Sequence, residues 1–378
     1  MKLAFVLFSY FPYGGLQRDL MRLLAACREA GDQVSVYAMQ WQGERPQGVE
    51  INLFPGTAFS RTGKRKSFVA YVLAQKEAKK PDALIGFNKM PGLDYYYAAD
   101  SCFAEKAYEQ RNFFYRLAPR SRQYLEFEKQ VFDEPGRTRI FFIAPGQKNS
   151  FQSYYRLAPE RCIELPPGIE KNRRADESAQ TLRNDCRRDF GFSEQEFVIL
   201  QIGSGFAIKG VDRSLRAIAA LPVELREKTR FMLVGQDKPA PYLKLAKKLG
   251  IADKLSIHPG RDDIPRLLQG ADMLLHPAYR ESAGMVILEA IVAGLPVLAT
   301  DTCGYAFHVT QAGAGLVCAS PFKQARLDEM LETMLNSRER SRWREQGIAY
   351  GRREDLYDMP ARVVEIIHGD HQARHESQ

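Results

Sequence analysis

Arg280-Glu-Ser-Ala-Gly-Met-Val-Ile-Leu-Glu-Ala-Ile291 is the stretch on which the reading of this chain turns. Its two glutamates, Glu281 and Glu289, stand eight residues apart. Glu281 closes a loop, and the small residues Ser282, Ala283 and Gly284 leave room for a ligand to approach backbone N–H groups. Met285 to Val292 then read as the first turns of an apolar helix. A loop carboxylate, a free helix N-terminus and a second carboxylate two turns in suit a ligand bearing both hydroxyls and an anion. Taken singly, Glu281 reads as a neighbour of a helix cap and Glu289 as part of a solvated helical face. The small residues between them and the turn Gly294-Leu-Pro-Val that follows favour a binding site.

Outward from this stretch, short β-branched runs alternate with helical ones. Residues 3–8 form a buried strand, and 16–30 carry helical periodicity, with Leu16, Leu20, Leu23, Leu24 and Cys27 on one face and Gly31 at the C′ position. Residues 34–38, 83–87 and 140–144 add strands to a first α/β unit. A second begins near Phe197, with strands over 197–202, 230–234, 255–258, 273–276 and 297–299, and a helix over 211–221. Each strand ends in Gly, Pro or a polar residue, and ligands bind at those carboxyl ends in open parallel sheets. The expectation is an α/β protein of two Rossmann-like domains, parallel sheets facing a central cleft: residues 1–167, residues 168–355, and a C-terminal helix, 356–378, returning to the first. Residues 171–189 read as a polar surface segment and the tail after Gly369 as frayed.

Composition sets bounds. The chain has 378 residues, 45% hydrophobic and 26% charged, as in ordinary globular proteins. No apolar run reaches the roughly 18–20 residues that span a bilayer, and the N-terminal run lacks a cleavage site. Six scattered cysteines without a Cys-x-x-Cys pair suit reduced thiols in a cytoplasm rather than a disulfide frame or a zinc site. The net charge of +8 favours anionic partners.

Three further features bear on chemistry. Gly14-Gly15 follows the first strand; it is read either as a tight turn needing positive φ or as a place where the Gly15 amide meets an anion. It does not fit G-x-G-x-x-G, which disfavours a nicotinamide enzyme. Lys209-Gly210 follows the glycine-rich end of a strand, where a diphosphate wants a compact positive charge, although a lone loop lysine is usually solvated. Residues 111–124 hold four arginines (Arg111, Arg116, Arg120, Arg122), four aromatics including Phe113 and Phe114, and no acid. Arg61 and Lys64-Arg65-Lys66 make a second basic cluster. Basic charge mixed with aromatics is the composition of a membrane interface, each cation worth about 1 kcal/mol near an anionic surface. It is equally a grip for acceptor phosphates, or a solvated face with some core aromatics.

The Glu281–Glu289 segment resembles the E-x7-E signature of the retaining glycosyltransferases of the GT-B fold. The resemblance extends along the chain to the heptose glucosyltransferases of the lipopolysaccharide core, through Tyr10-Phe-Pro-Tyr-Gly-Gly-Leu-Gln-Arg18, Gly86-Phe-Asn-Lys89, Ala98-Ala-Asp100, Leu165-Pro-Pro-Gly168, Lys209-Gly-Val-Asp-Arg213, Val234-Gly-Gln-Asp237 and Leu275-His-Pro-Ala-Tyr279. It implies a UDP-sugar donor, glucose by default with galactose, N-acetylglucosamine and N-acetylgalactosamine as alternatives. It implies a phosphorylated lipid A–core acceptor and a cytoplasmic protein held peripherally on the anionic inner membrane. It implies Asp100 near the reacting hydroxyl, Gly15 and Lys209 at the diphosphate, and Glu281 on sugar hydroxyls. The amides of Ala283, Gly284 and Met285 then meet sugar or phosphate oxygens, Glu289 the ribose, and the loop 259–262 with Arg261 the nucleobase. No cofactor and no metal is expected, since Lys209 and helix amides would carry the leaving-group charge and no Asp-x-Asp ends a strand. Relatives commonly pair the lysine with an arginine; here Ile208 and Gly203 stand where it would be, leaving Arg18 and Arg261 as substitutes. Two other classes compete: a nucleic-acid-binding protein, against which no recognition motif appears, and a sugar-binding module without catalysis.

Overall fold

A computed structural model describes residues 1–57, 59–133 and 135–376. The chain forms two units, Met1–Gly168 joined by Asp358–Gln378, and Ile169–Tyr357. The first carries seven strands: β1 Lys2–Tyr10, β2 Gln33–Trp41, β3 Val49–Leu53, β4 Ala83–Gly86, β5 Tyr95–Ala98, β6 Arg139–Phe142 and β7 Cys162–Glu164. The second carries six: β8 Phe197–Ile202, β9 Thr229–Val234, β10 Leu255–His258, β11 Met273–His276, β12 Val297–Thr300 and β13 Gly315–Cys318. Their orders are β3-β2-β1-β4-β5-β6-β7 and β10-β9-β8-β11-β12-β13. Every neighbouring pair is parallel. Parallel sheets are covered on both faces, which explains their near-continuous apolar strands such as Phe-Val-Ile-Leu-Gln-Ile in β8.

The strands β3, β5, β7 and β13 escape the reading by pattern. β3 is amphipathic and largely half-buried, and β7 has only three residues. β5 is the run Tyr95-Tyr96-Tyr97-Ala98, wholly buried despite its hydroxyls. Tyr97 Oη donates to Asp19 Oδ2 at 2.8 Å, and Tyr95 Oη to Asp370 Oδ2 at 2.5 Å. In the first unit the core gathers Val6, Tyr96, Phe132, Phe142 and Phe151, the rings of Phe132 and Phe151 stacked at 3.8 Å. In the second, Ile199, Leu233, Leu275 and Leu298 of the sheet pack with Val211, Leu215 and Leu331.

Several expectations need correction. The first helix is Gly15–Glu29; it buries Gln17 and Asp19 with the leucines, while Leu16 is half-buried. Neither Gly14 nor Gly15 has positive φ; that conformation falls on Tyr13, at 69°. Gly14 is small for another reason, because a Cβ there would lie 1.9 Å from Gln17 Oε1. Residues 171–189 are more than a surface segment. They hold a short 3₁₀ turn, Lys171–Arg173, and the helix Ala179–Asp189. Arg187, 1% exposed, sits inside a ring of acceptors that serves both terminal nitrogens of its guanidinium: Asp272 Oδ2 at 3.1 Å and the carbonyls of Gly270, Ser193 and Glu196. The tail is helical over Met359–Glu376, pinned to the first unit by Asp370 on Tyr95 and Arg139 and by His368 on Asp32 at 2.9 Å. Residues 377–378 lie outside the described residues.

Candidate active site

The strand order of the second unit reverses between β8 and β11, which are hydrogen-bonded neighbours. At such a point the loops leaving the two carboxyl ends diverge and open a crevice. Lys209 comes from the loop after β8, and Glu281 from the loop after β11. The two loops are stitched by Tyr279 N donating to Ile208 O at 2.8 Å. Lys209 is fixed by its own amide on Gly205 O at 2.9 Å and by Gln201 Nε2 on its carbonyl at 2.8 Å. Its stem crosses Gly203, where φ is +132° and a Cβ would stand 3.3 Å from Lys209 Cε. The position without the arginine is thus the passage of the lysine itself.

Glu281 is clamped at its backbone, N to Thr302 O at 3.1 Å and O from Gly304 N at 3.2 Å. Its Oε2 forms an ion pair with Lys209 Nζ and lies 3.4 Å from His276 Nε2. His276, at the end of β11, is completely buried. Burial, with the Lys209 charge beside it, pushes its ring down to about 3, so it is neutral. A neutral ring facing a carboxylate carries its proton on Nε2 and donates it to Glu281. Burial likewise pushes the Lys209 ammonium down to about 8.

Behind this pair the helix Met285–Val292 starts from Gly284 at φ +89°, a left-handed conformation that favours glycine. Ala283 and Gly284 turn their carbonyls inward, to Tyr305 N at 2.7 Å and Ile287 N at 2.9 Å. Among the described residues, the amides of Ala283, Gly284 and Met285 donate to no protein acceptor. Ala283 and Gly284 are nevertheless buried. A buried helix start with unmatched N–H groups is the ordinary form of an anion site. Glu289 is 3% exposed and faces Arg173 Nε at 3.6 Å, Arg173 being held also by Glu170 at 2.9 Å. It is no solvated face. Arg261 is engaged by Asp263 in a two-pronged bond of 2.6 and 2.7 Å and lies over the Phe190 ring, so its charge is already matched. That geometry disfavours it as the second cation for a diphosphate.

In the first unit, Gly15 opens the helix Gly15–Glu29, and a Cβ on it would meet nothing within 4 Å. Asp100 stands exposed just past β5. Lys89 and Glu128 form a buried ion pair. Glu128 also accepts from Phe103 N at 2.7 Å, Ala104 N at 2.8 Å and Tyr155 Oη at 2.9 Å, while Lys89 Nζ donates to Ser101 O at 2.9 Å. This network anchors the segment that follows Asp100. Residues 111–124 form the helix Phe113–Leu117, which buries no residue, and the start of Pro119–Phe132. Phe113 and Phe114 are 58% and 76% exposed. Arg116 lies over Tyr108 and Phe113, Arg111 over Tyr115 and Arg120 over Tyr124; Arg122 is exposed.

A family model described as glycosyl transferases group 1 matches residues 183–350. The lipopolysaccharide glucosyltransferase WaaG of Escherichia coli (strain K12) is 43% identical over 370 residues, 98% of this chain and 99% of that one. The group 1 glycosyl transferases are its family. A crystal structure of WaaG, a glycosyltransferase of lipopolysaccharide biosynthesis, superposes with a TM-score of 0.94 at 42% identity over 97% of this chain and 99% of that one. Anabaena HepE in complex with UDP and glucose shares the fold, with a TM-score of 0.74 at 18% identity over 98% of this chain and 100% of that one.

In this glycosyltransferase the two Rossmann-like units are those of the GT-B fold. Lys209, Arg261, Glu281, Ala283, Gly284, Met285 and Glu289 belong to the second unit, Gly15 and Asp100 to the first. The structure brings Lys209 to Glu281 and leaves Arg261 with Asp263. The sequence reading missed His276 and Arg173 as partners of the two glutamates. His276 had a signal, a polar residue ending an apolar strand five positions before Glu281. Arg173 had none, since it meets Glu289 only through the tertiary fold.

Proposed function

We propose that this glycosyltransferase moves glucose from UDP-glucose to a heptose of the lipopolysaccharide inner core, with retention and without a metal. The near-full-length identity to a lipopolysaccharide glucosyltransferase supports the donor and acceptor classes. The observation that carries the chemistry is the Lys209–Glu281–His276 cluster at the unmatched amides of Ala283, Gly284 and Met285. The anomeric C–O bond breaks and its electron pair leaves with the β-phosphate, so negative charge grows on the diphosphate. The Lys209 ammonium and the amides are aimed at that charge before it develops, so stabilising it costs little reorganisation. Glu281, held by His276 and Lys209, keeps lone pairs for sugar hydroxyls and acts as a positioning group. The acceptor oxygen forms its bond on the face from which UDP departs, and its proton passes to the departing phosphate oxygen. Glu289, oriented by Arg173, takes the ribose hydroxyls, Gly15 approaches the phosphates, and Asp100 orients the acceptor hydroxyl.

The exposed Phe113 and Phe114 with Arg111, Arg116, Arg120 and Arg122 support a peripheral hold on the anionic cytoplasmic face of the inner membrane, with the phosphorylated lipid A–core as acceptor. Transfer from UDP-[14C]glucose to heptose-terminated core, in chelator, tests the reaction. Lys209→Met is expected to lower kcat by roughly 10²–10³-fold with modest change in KM. Equal rates in wild type and variant, or preferred transfer from another UDP-hexose, would reject the assignment.

A further inference from the structure

The second unit also carries a cavity of about 460 Å³ between the 3₁₀ turn Lys171–Arg173 with the residues after it and the helix Arg340–Arg353. That volume lies within the range of small-molecule sites, roughly 300–1,000 Å³. Four cations line it: Lys171, Arg174, Arg344 and Arg352. None of the four has an ion-pair partner among the described residues. Their neighbours contrast with them, for Arg183, Arg187 and Arg188 each have a carboxylate within 3.1 Å. Two acids share the lining, Asp176 and Glu177. Asp176 is already taken by Ser178, whose amide and hydroxyl donate to it at 2.8 and 2.6 Å.

Arg344 is the informative member. It is half-buried, and its stem passes over Gly294, where a Cβ would lie 2.9 Å from Arg344 Cγ. Burial and then the nearby Arg183 charge lower its pKa. A half-desolvated cation with a like charge near it and no counter-ion raises the energy of the fold, and a bound anion lowers it. Three more unmatched cations around one concavity supply what a doubly charged anion requires.

The cavity is separate from the donor site but shares its framework. Ala175 N, in its wall, donates to Val292 O at 3.1 Å, at the end of the helix Met285–Val292 opposite its unmatched amides. Arg173, between Lys171 and Arg174 in sequence, faces Glu289.

We propose that this cavity is a second anion site, which binds the phosphate or phosphomonoester group of a small molecule apart from the donor site. Inorganic phosphate and glycerol 3-phosphate are the soluble probes, and vesicles of phosphatidate with phosphatidylcholine present the same group on a lipid. Thermal unfolding is followed as phosphate rises, since a ligand of the native state stabilises by RT ln(1 + [L]/Kd). Wild type and Lys209→Met are both expected to gain melting temperature, and Arg344→Gln and Lys171→Gln to lose at least half of the gain. Loss of the response in Lys209→Met with retention in Arg344→Gln places phosphate at the donor site and overturns the proposal. So does the absence of any response in wild type. Vesicle flotation that weakens in Lys171→Gln, with no response to the soluble probes, assigns the group to a lipid and overturns the small-molecule form. Lys171 is exposed, so its replacement keeps the test valid if Arg344→Gln fails to fold.

Discussion

At the scale of single residues, the electrostatics of Lys209 set an observable pH dependence. Its ammonium is depressed to about 8 because it is buried. The unfolded chain therefore binds more protons than the folded one between about pH 8 and the ordinary lysine value, and this group's contribution to the stability of the free protein rises with pH across that window. Diphosphate binding has the opposite sign. It favours the charged form and lifts the pKa, so UDP affinity is flat below pH 8 and falls above it, approaching tenfold per pH unit. Calorimetric titration with UDP from pH 7 to 9 checks this, with Lys209→Met as the flat control. A constant wild-type affinity across the range would mean that Lys209 does not meet the phosphates. Glu281 shows why a residue's type does not give its role. Its carboxylate suggests a nucleophile, yet the Lys209 ammonium and the His276 ring occupy it as acceptor, which suits positioning.

At the scale of the element, the helix Met285–Val292 is decisive. Its seven residues from Val286 to Val292 are all buried, so it is held by packing on every side rather than along one stripe. Glycines keep the neighbouring helix close: a Cβ on Gly347 would stand 2.5 Å from Ile291 O. The N-terminal turn depends on Gly284, whose φ of +89° is a left-handed conformation that leaves its first amides without protein acceptors among the described residues. Gly284→Ala places a Cβ 3.2 Å from Ile287 Cδ1 and 3.3 Å from Glu281 Cγ in a left-handed backbone. The expected cost is about 1–2 kcal/mol of stability. Thermal unfolding should show a drop of several degrees, with UDP affinity falling more than stability because the amides are re-aimed. A variant with wild-type affinity would show that the amides do not bind the donor.

At the scale of the whole molecule, the chain leaves the first unit at Gly168 and returns at Asp358. The helix Met359–Glu376 contributes Val363 and Ile367, 0% and 1% exposed, to the first unit, along with the Asp370 and His368 anchors. Truncation after Asp358 should therefore unfold the residues 1–168 in preference to the second unit. Hydrogen exchange would show protection lost in β1, β5 and β6 and kept in β8 and β11; uniform loss would contradict this assignment of the helix. The basic face of residues 111–124 gives a second expectation at this scale. Phe113→Ala with Phe114→Ala should weaken binding to anionic vesicles, the remaining attraction should fall as salt rises, and transfer to a soluble acceptor should be untouched.

The alternation of apolar strands and amphipathic helices determined an α/β chain of two parallel units, because periodicity of burial is a local property written in residues near each other. The E-x7-E spacing and Gly203–Lys209 likewise singled out the two loops that Lys209 and Glu281 bring together. Tertiary structure alone decided the partners. That Lys209 and His276 converge on Glu281, that Arg173 meets Glu289, that Asp263 withdraws Arg261 and that Arg187 is buried all depend on which strands lie side by side. The order β9-β8-β11-β12 sets these meetings, and it is fixed by packing both faces of a sheet at once, a constraint that no local stretch of sequence carries.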